Sequence, residues 1–288
     1  MMEDSMEQIV GCVDGSKVTE SVCDASVWMA QNLDRPLTLL HALEHEDLPM
    51  TGDLSGSIGL GAREDLLNEL IELEAQRAHL ELKQGKLMLE AVVSRAKDAG
   101  LQQVEMVQRH GGLVETLDDL ADRTRAVVIG RQGEAHAGFP EALGSHIESV
   151  IRSVKTPVLV VAERFQVPTD VMFAFDGSET AERVLKRMME SPLFESLSIH
   201  LVMVHTGDLN QVEAFEAAHM RLEGHGLSVT SERLNGSVTE ALVQYQQTHR
   251  IDLTVMGAYG HSRIRQFLVG SQTTRMLERS VTPVLFMR

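Results

Sequence analysis

Short apolar runs alternate with stretches of helical period along the whole chain. The runs GCV, LTLLHAL, AVVIG and PVLVVA are apolar on consecutive residues, as expected of strands buried on both faces of a parallel sheet. Segments between them, such as TESVCDASVWMAQNL and ERVLKRMMES, space their apolar positions three to four apart and predict helices. Strand alternating with helix specifies an α/β sheet covered by helices on both faces. Such sheets bind ligands beyond the carboxyl ends of their strands, where the strand order switches.

The pattern occurs twice. IVGCVDGSKVTES echoes MFAFDGSETAER, LTLLHALE echoes IHLVMVHTG, AVVIGRQGE echoes LTVMGAYGH, and TPVLVVAE echoes TPVLFMR. Asp14 and Asp176 lie 162 residues apart, His41 and His205 164, Gly130 and Gly257 127, and Thr156 and Thr282 126. The fall from 164 to 127 means that the first copy carries about 37 extra residues before its glycine loop. These are a Gly/Ser-rich stretch and a long helical pattern, apolar on one face and charged on the other, whose default role is packing. The expected units are residues 1–163 and 169–288, joined by AERFQVPT (Ala162 to Thr169).

Composition narrows the function. With 43% hydrophobic and 24% charged residues, the chain reads as ordinary globular protein. A formal net charge of −16 argues against general binding to nucleic acid or to an anionic membrane, both of which need an excess of Lys and Arg. The acidic start MMEDSMEQIV has no secretory pattern, and no apolar run approaches the roughly 20 residues of a membrane span. The expected location is the cytoplasm. Cys12 and Cys23 are too few for a disulfide framework and read as buried, reduced thiols. The fifteen Met residues are spread through both copies and read as core filler.

Candidate chemistry concentrates in GAYGHSRIRQFLVGSQTT, Gly257 to Thr274. Gly257 and Gly260 permit a tight turn, and nine residues later Gly270 and Ser271 open a helical run. Backbone N–H groups at a helix start attract anions, with the Ser271 and Thr273 hydroxyls as extra donors. His261, Arg263 and Arg265 give the loop a formal charge of +2, which stands out in so acidic a chain.

This GxxG, nine-residue, GS pattern, on a strand-loop-helix unit preceded by a strand ending in Asp, resembles the nucleotide-binding members of the universal stress protein family. The resemblance covers essentially the whole chain as a tandem pair. It implies two tandem doubly wound five-stranded parallel sheets of strand order 3-2-1-4-5, adenine nucleotide alpha hydrolase-like in fold. It also implies ATP, AMP or ADP as ligand, with Mg as an accompanying ion. Carried over, Asp176 contacts the adenosine and the backbone near Thr206 flanks the base. Met256 and Gly257 lie against ribose and base, and Gly260, Gly270, Ser271, Gln272 and Thr273 surround the phosphates. It further implies association through the last strand, TPVLVVAE with TPVLFMR, which a tandem chain satisfies internally as a pseudo-dimer; a homodimer beyond that is left open.

The first copy departs from the pattern. In GRQGEAHAGFPEALGSHIES ten residues separate Gly133 from Gly144, and Arg131 stands against Glu134 and Glu141, a formal −1. Ser145 is followed three residues on by Glu148, a capping-box spacing that predicts a carboxylate folded back over the helix start. Ile147 replaces the Thr273 hydroxyl. The expectation is weaker nucleotide binding in the first copy, or none.

Simpler roles stand beside these. Asp14 and Asp176 each suit a helix N-cap or turn as well as a ligand, and His41 and His205 suit backbone hydrogen bonding rather than metal binding or catalysis. No GxxxxGK[ST], GxSxG or HExxH is present, so no catalytic residue or metal site is assigned and slow ATP hydrolysis is the most expected. The leading function is a stress-response regulator binding an adenine nucleotide mainly in the second unit; the alternative is a scaffold without nucleotide. Gly257→Val is expected to abolish binding while the fold survives.

Overall fold

Every apolar run named above forms a strand, and the helices fall between them as the periodicity predicts. The structure, a computed structural model, describes residues 7–43, 60–131, 147–204, 207, 209–258 and 272–288, and for 60–67 and 272 the backbone alone. The first half runs β1 (Gln8–Cys12), α1 (Thr19–Leu33), β2 (Leu37–Leu43), α2 (Leu60–Asp98), β3 (Val104–His110), α3 (Leu113–Asp119), β4 (Thr124–Gly130), α4 (Ile147–Ser153) and β5 (Val158–Val161). The second runs β6 (Asp170–Ala174), α5 (Glu179–Glu190), β7 (Ser198–Val204), α6 (Leu209–Gly224), β8 (Ser228–Leu234), α7 (Val238–His249), β9 (Leu253–Gly257), α8 (Gln272–Arg279) and β10 (Val284–Met287).

Within each half the strands are parallel and follow the expected order, β3-β2-β1-β4-β5 and β8-β7-β6-β9-β10. The halves do not form two separate sheets. Antiparallel pairing of β5 with β10 joins them into one ten-stranded sheet. The last strand of each half would otherwise present a row of unpaired backbone groups, and each edge covers the other. Leu159 faces Leu285 in this pairing, and the two occupy equivalent positions in the repeats, so a pseudo-two-fold axis passes between them.

One apolar layer on each side of the sheet spans both halves. On one side α1 and α2 continue into α5 and α6; on the other α3 and α4 continue into α7 and α8. Phe165 of the 162–169 linker packs on Trp28 with ring centroids 5.7 Å apart. Cys12 and Cys23 are free and buried, and burial, followed by neighbouring carboxylates, pushes both thiols up to about 12. Among the described residues no helix is long and apolar enough to cross a membrane.

Helix α2 supplies most of the insert, with 39 residues against 16 in its counterpart α6. Its C-terminal part packs through Gly85, Leu89, Val92 and Ala96. At Gly85 the helix lies so close to β2 that a Cβ would stand 2.6 Å from His41 Cδ2. The expected division into one apolar and one charged face does not hold. Leucines occupy a second, outward face as well, with Leu73, Leu80 and Leu87 each about three-fifths exposed.

Candidate functional site

The chain turns sharply beyond the first strand of each half. Asp176 Oδ1 accepts the backbone N–H of Ser178 at 3.0 Å, and Asp14 Oδ1 that of Ser16 at 3.0 Å. The intervening glycines are left-handed, φ +72° at Gly177 and +84° at Gly15, a conformation that costs glycine least. Neither aspartate caps a helix. Ser178 is the N-cap of α5, accepting from Ala181 N at 3.2 Å, and α1 begins only at Thr19. Both are turn residues, and Asp176 keeps its carboxylate exposed at the carboxyl end of the sheet.

Strand register sets the other wall. β6 pairs with β9 so that Ala174 lies beside Met256, and β1 pairs with β4 so that Cys12 lies beside Ile129. These pairs are equivalent in the repeats. The chain leaves β6 toward α5 on one face and β9 toward α8 on the other, so Asp176 and Gly257 flank the crevice where the strand order switches. Met256 is buried against the layer of α7 and α8, and Thr273 is buried in the first turn of α8. Gln272 is the first residue of that helix. Thr206, Gly260, Gly270 and Ser271 lie outside the described residues, as do His261, Arg263 and Arg265.

Gly257 has a structural duty that the sequence did not reveal. A Cβ there would stand 2.9 Å from Thr180 Cγ2, because the first turn of α5 crosses the end of β9. Gly257→Val must therefore displace the Thr180 methyl, so this substitution perturbs packing as well as the site. Gln211 of α6 flanks Gly177 in the second half, its Cγ 3.4 Å from where a Cβ would be. At the equivalent Gly15 the neighbour is the Met88 thioether at 3.6 Å. The inserted helix thus brings a thioether beside the first turn where the second has the Gln211 methylene.

The two glycine-loop helices meet on the pseudo-two-fold axis. Glu148 does not reserve its carboxylate for its own helix start, as the capping-box spacing predicts: Oε1 accepts from Thr274 Oγ1 at 2.8 Å. Ser145, the other member of that box, lies outside the described residues. The axis brings the first turns of α4 and α8 face to face, and the buried Thr274 hydroxyl finds its acceptor across the seam. Glu148 and Thr274 are equivalent positions, 126 apart, and their hydrogen bond across the seam places both beside the axis.

Arg131 is also drawn to the seam. Its Nη1 donates to Ser280 O at 2.6 Å, and burial pulls its pKa below the usual arginine range against the opposing effect of Glu163. Arg288 returns the contact, donating to the carbonyls of Ile151 and Arg152 at the end of α4. His41 Nδ1 stands 2.9 Å from Val13 O, in keeping with a structural role; His205 lies outside the described residues and is not its counterpart, since Ile9 lies beside Leu37 and Val171 beside Ile199, which sets Met203 at the position of His41. Among the described residues no three His, Cys, Asp or Glu side chains gather as a metal site.

Comparison with known proteins agrees with this architecture. The universal stress protein family matches residues 6–162 and 206–288. Universal stress protein Slr1230 of Synechocystis is 35% identical over 289 residues, covering 98% of this chain and all of the relative. A universal stress protein of Mycolicibacterium smegmatis is 26% identical over 203 residues, 62% of this chain and 67% of its own. The crystal structure of a universal stress protein from Archaeoglobus fulgidus superposes with a TM-score of 0.68 at 16% identity, over 100% of this chain and 99% of that one. Paired crevices of one register, arranged about a pseudo-two-fold seam, fit these matches, and the chain belongs to the universal stress protein family.

Proposed function

We propose that this chain is a cytoplasmic stress-response regulator that holds an adenine nucleotide, ATP or AMP, chiefly in its second unit (169–288). The first unit (1–163) has lost or changed that task. The observation that carries this reading is one crevice built twice with unequal charge. The register and Asp turn are the same in both halves, but Arg131 is held at the seam, whereas Arg263 and Arg265 follow the second Gly257 strand in sequence. In this reading Asp176 takes a ribose or adenine donor, and the start of α8 takes phosphate. Binding rather than turnover is the proposed activity.

The test is denaturing extraction of freshly purified protein, followed by calorimetric titration with AMP and ATP, with and without Mg. One nucleotide per chain is expected. Two equivalents would refute the asymmetry, and none would favour the scaffold reading. Arg263→Ala with Arg265→Ala is expected to weaken ATP more than AMP, because ATP brings more negative charge to the loop. Phosphate release that Asp176→Ala leaves unchanged would mark contamination rather than hydrolysis at this site.

A further inference from the structure

Leu66, Leu73, Leu80 and Leu87 follow one another at seven-residue intervals on α2, with Leu70 between the first two. Leucine at every seventh residue, with a second seam position four residues on, is the pattern of a coiled coil. Here the leucine column occupies d, and Leu70, Arg77 and Gln84 occupy a. This is not the side that holds α2 to the body, which runs through Gly85, Leu89, Val92 and Ala96. Leu70, Leu73, Leu80 and Leu87 are 48%, 60%, 63% and 58% exposed, and every residue from 68 to 77 is exposed. This part of the helix therefore stands clear of the body on all sides.

We propose that α2 pairs with α2 of a second copy of this chain as an antiparallel coiled coil centred near Ala75, making the protein a homodimer. Charge selects the occupant and the direction. With Leu70 packed beside Leu80 of the second copy, Glu69 at g faces Lys83 of the second copy, twice by symmetry. Arg77 at a then lies beside Glu74 of the second copy, so the two Glu74 carboxylates that meet at the centre are flanked by two guanidinium groups. A parallel pair instead sets Arg77 against Arg77 and Glu69 against Glu74, both repulsive. The position of the body agrees, because α2 is packed only from about Gly85 onward. An antiparallel pair places the two bodies at opposite ends, whereas a parallel pair crowds them together.

Sedimentation of the full chain tests this directly. A species of twice 31.8 kDa is expected, and Leu73→Glu with Leu80→Glu, which would set unpaired charges in the seam, should weaken association by at least roughly 100-fold. Both leucines are exposed, so the helical circular dichroism of the variant should match the wild type. Glu69→Lys and Lys83→Glu should each weaken the dimer, and the double exchange should restore it. A monomeric wild-type chain overturns the proposal. A dimer indifferent to the leucine changes overturns it too, and one indifferent to the charge exchange overturns its antiparallel register.

Discussion

The two halves share strand order, strand register and the Asp-Gly-Ser turn, yet differ in the side chains beside that turn and across the seam. Gly15 faces Met88 where Gly177 faces Gln211, and Glu148 stands where its equivalent is Thr274. In a dimer of identical single units, each residue on the axis meets its own copy. A tandem chain is free of that constraint, and here one axial position has become an acceptor and the other a donor. Duplication within one chain therefore allows a symmetric scaffold to carry unequal sites.

The strongest way to break this comparison is at the point where the halves are most alike. Leu159 and Leu285 face each other in the β5–β10 pairing and are both fully buried. Leu159→Ala and Leu285→Ala should each cost about 2–5 kcal/mol in urea unfolding, and by similar amounts. A midpoint left in place by either change would mean that the halves do not share one sheet. Next in size is binding. Loss of the Asp176 carboxylate should weaken adenine nucleotide roughly 10- to 100-fold, as expected for hydrogen bonds to a charged group, and Asp14→Ala less than about twofold. Equal losses in calorimetry would make the two sites equivalent.

Smaller effects sharpen the picture. Thr274→Val leaves the Glu148 oxygen at the seam without its donor and should cost about 1–3 kcal/mol. Glu148→Gln keeps an acceptor and should cost less than Thr274→Val in the same thermal unfolding series. The reverse order would place the importance of Glu148 at its own helix start. The smallest effect is alkaline. Cys12, whose second-half equivalent is Ala174, is held protonated to about 12 against an ordinary value of 9.0. A raised folded pKa contributes stability that is complete below 9.0 and lost as pH rises toward 12. Between these limits the urea midpoint should fall less steeply in Cys12→Ala than in the wild type; parallel slopes would remove Cys12 as the cause.

Much of this architecture is legible in the chain itself. The consecutive apolar residues of LTLLHAL and AVVIG require a strand buried on both faces, and motifs recurring in one order, from Asp14 and Asp176 to Thr156 and Thr282, require two copies of one unit. The pairing of Glu148 with Thr274 is not readable there: the 126-residue offset makes them equivalent, but only the fold brings them together. The local capping-box spacing points elsewhere, because a short-range rule does not see a partner brought in by the fold. The second face of α2 is visible, as leucines seven residues apart.

Periodicity and repeat are properties of the chain, and they suffice for the strand-helix alternation, the duplication and the family. Three-dimensional contact settled the rest: that Glu148 meets Thr274, that Gly257 serves the approach of Thr180, and that Arg131 is committed to Ser280. Each of these depends on groups far apart in sequence arriving within contact of one another, where close packing and the need of buried polar groups for partners select the outcome.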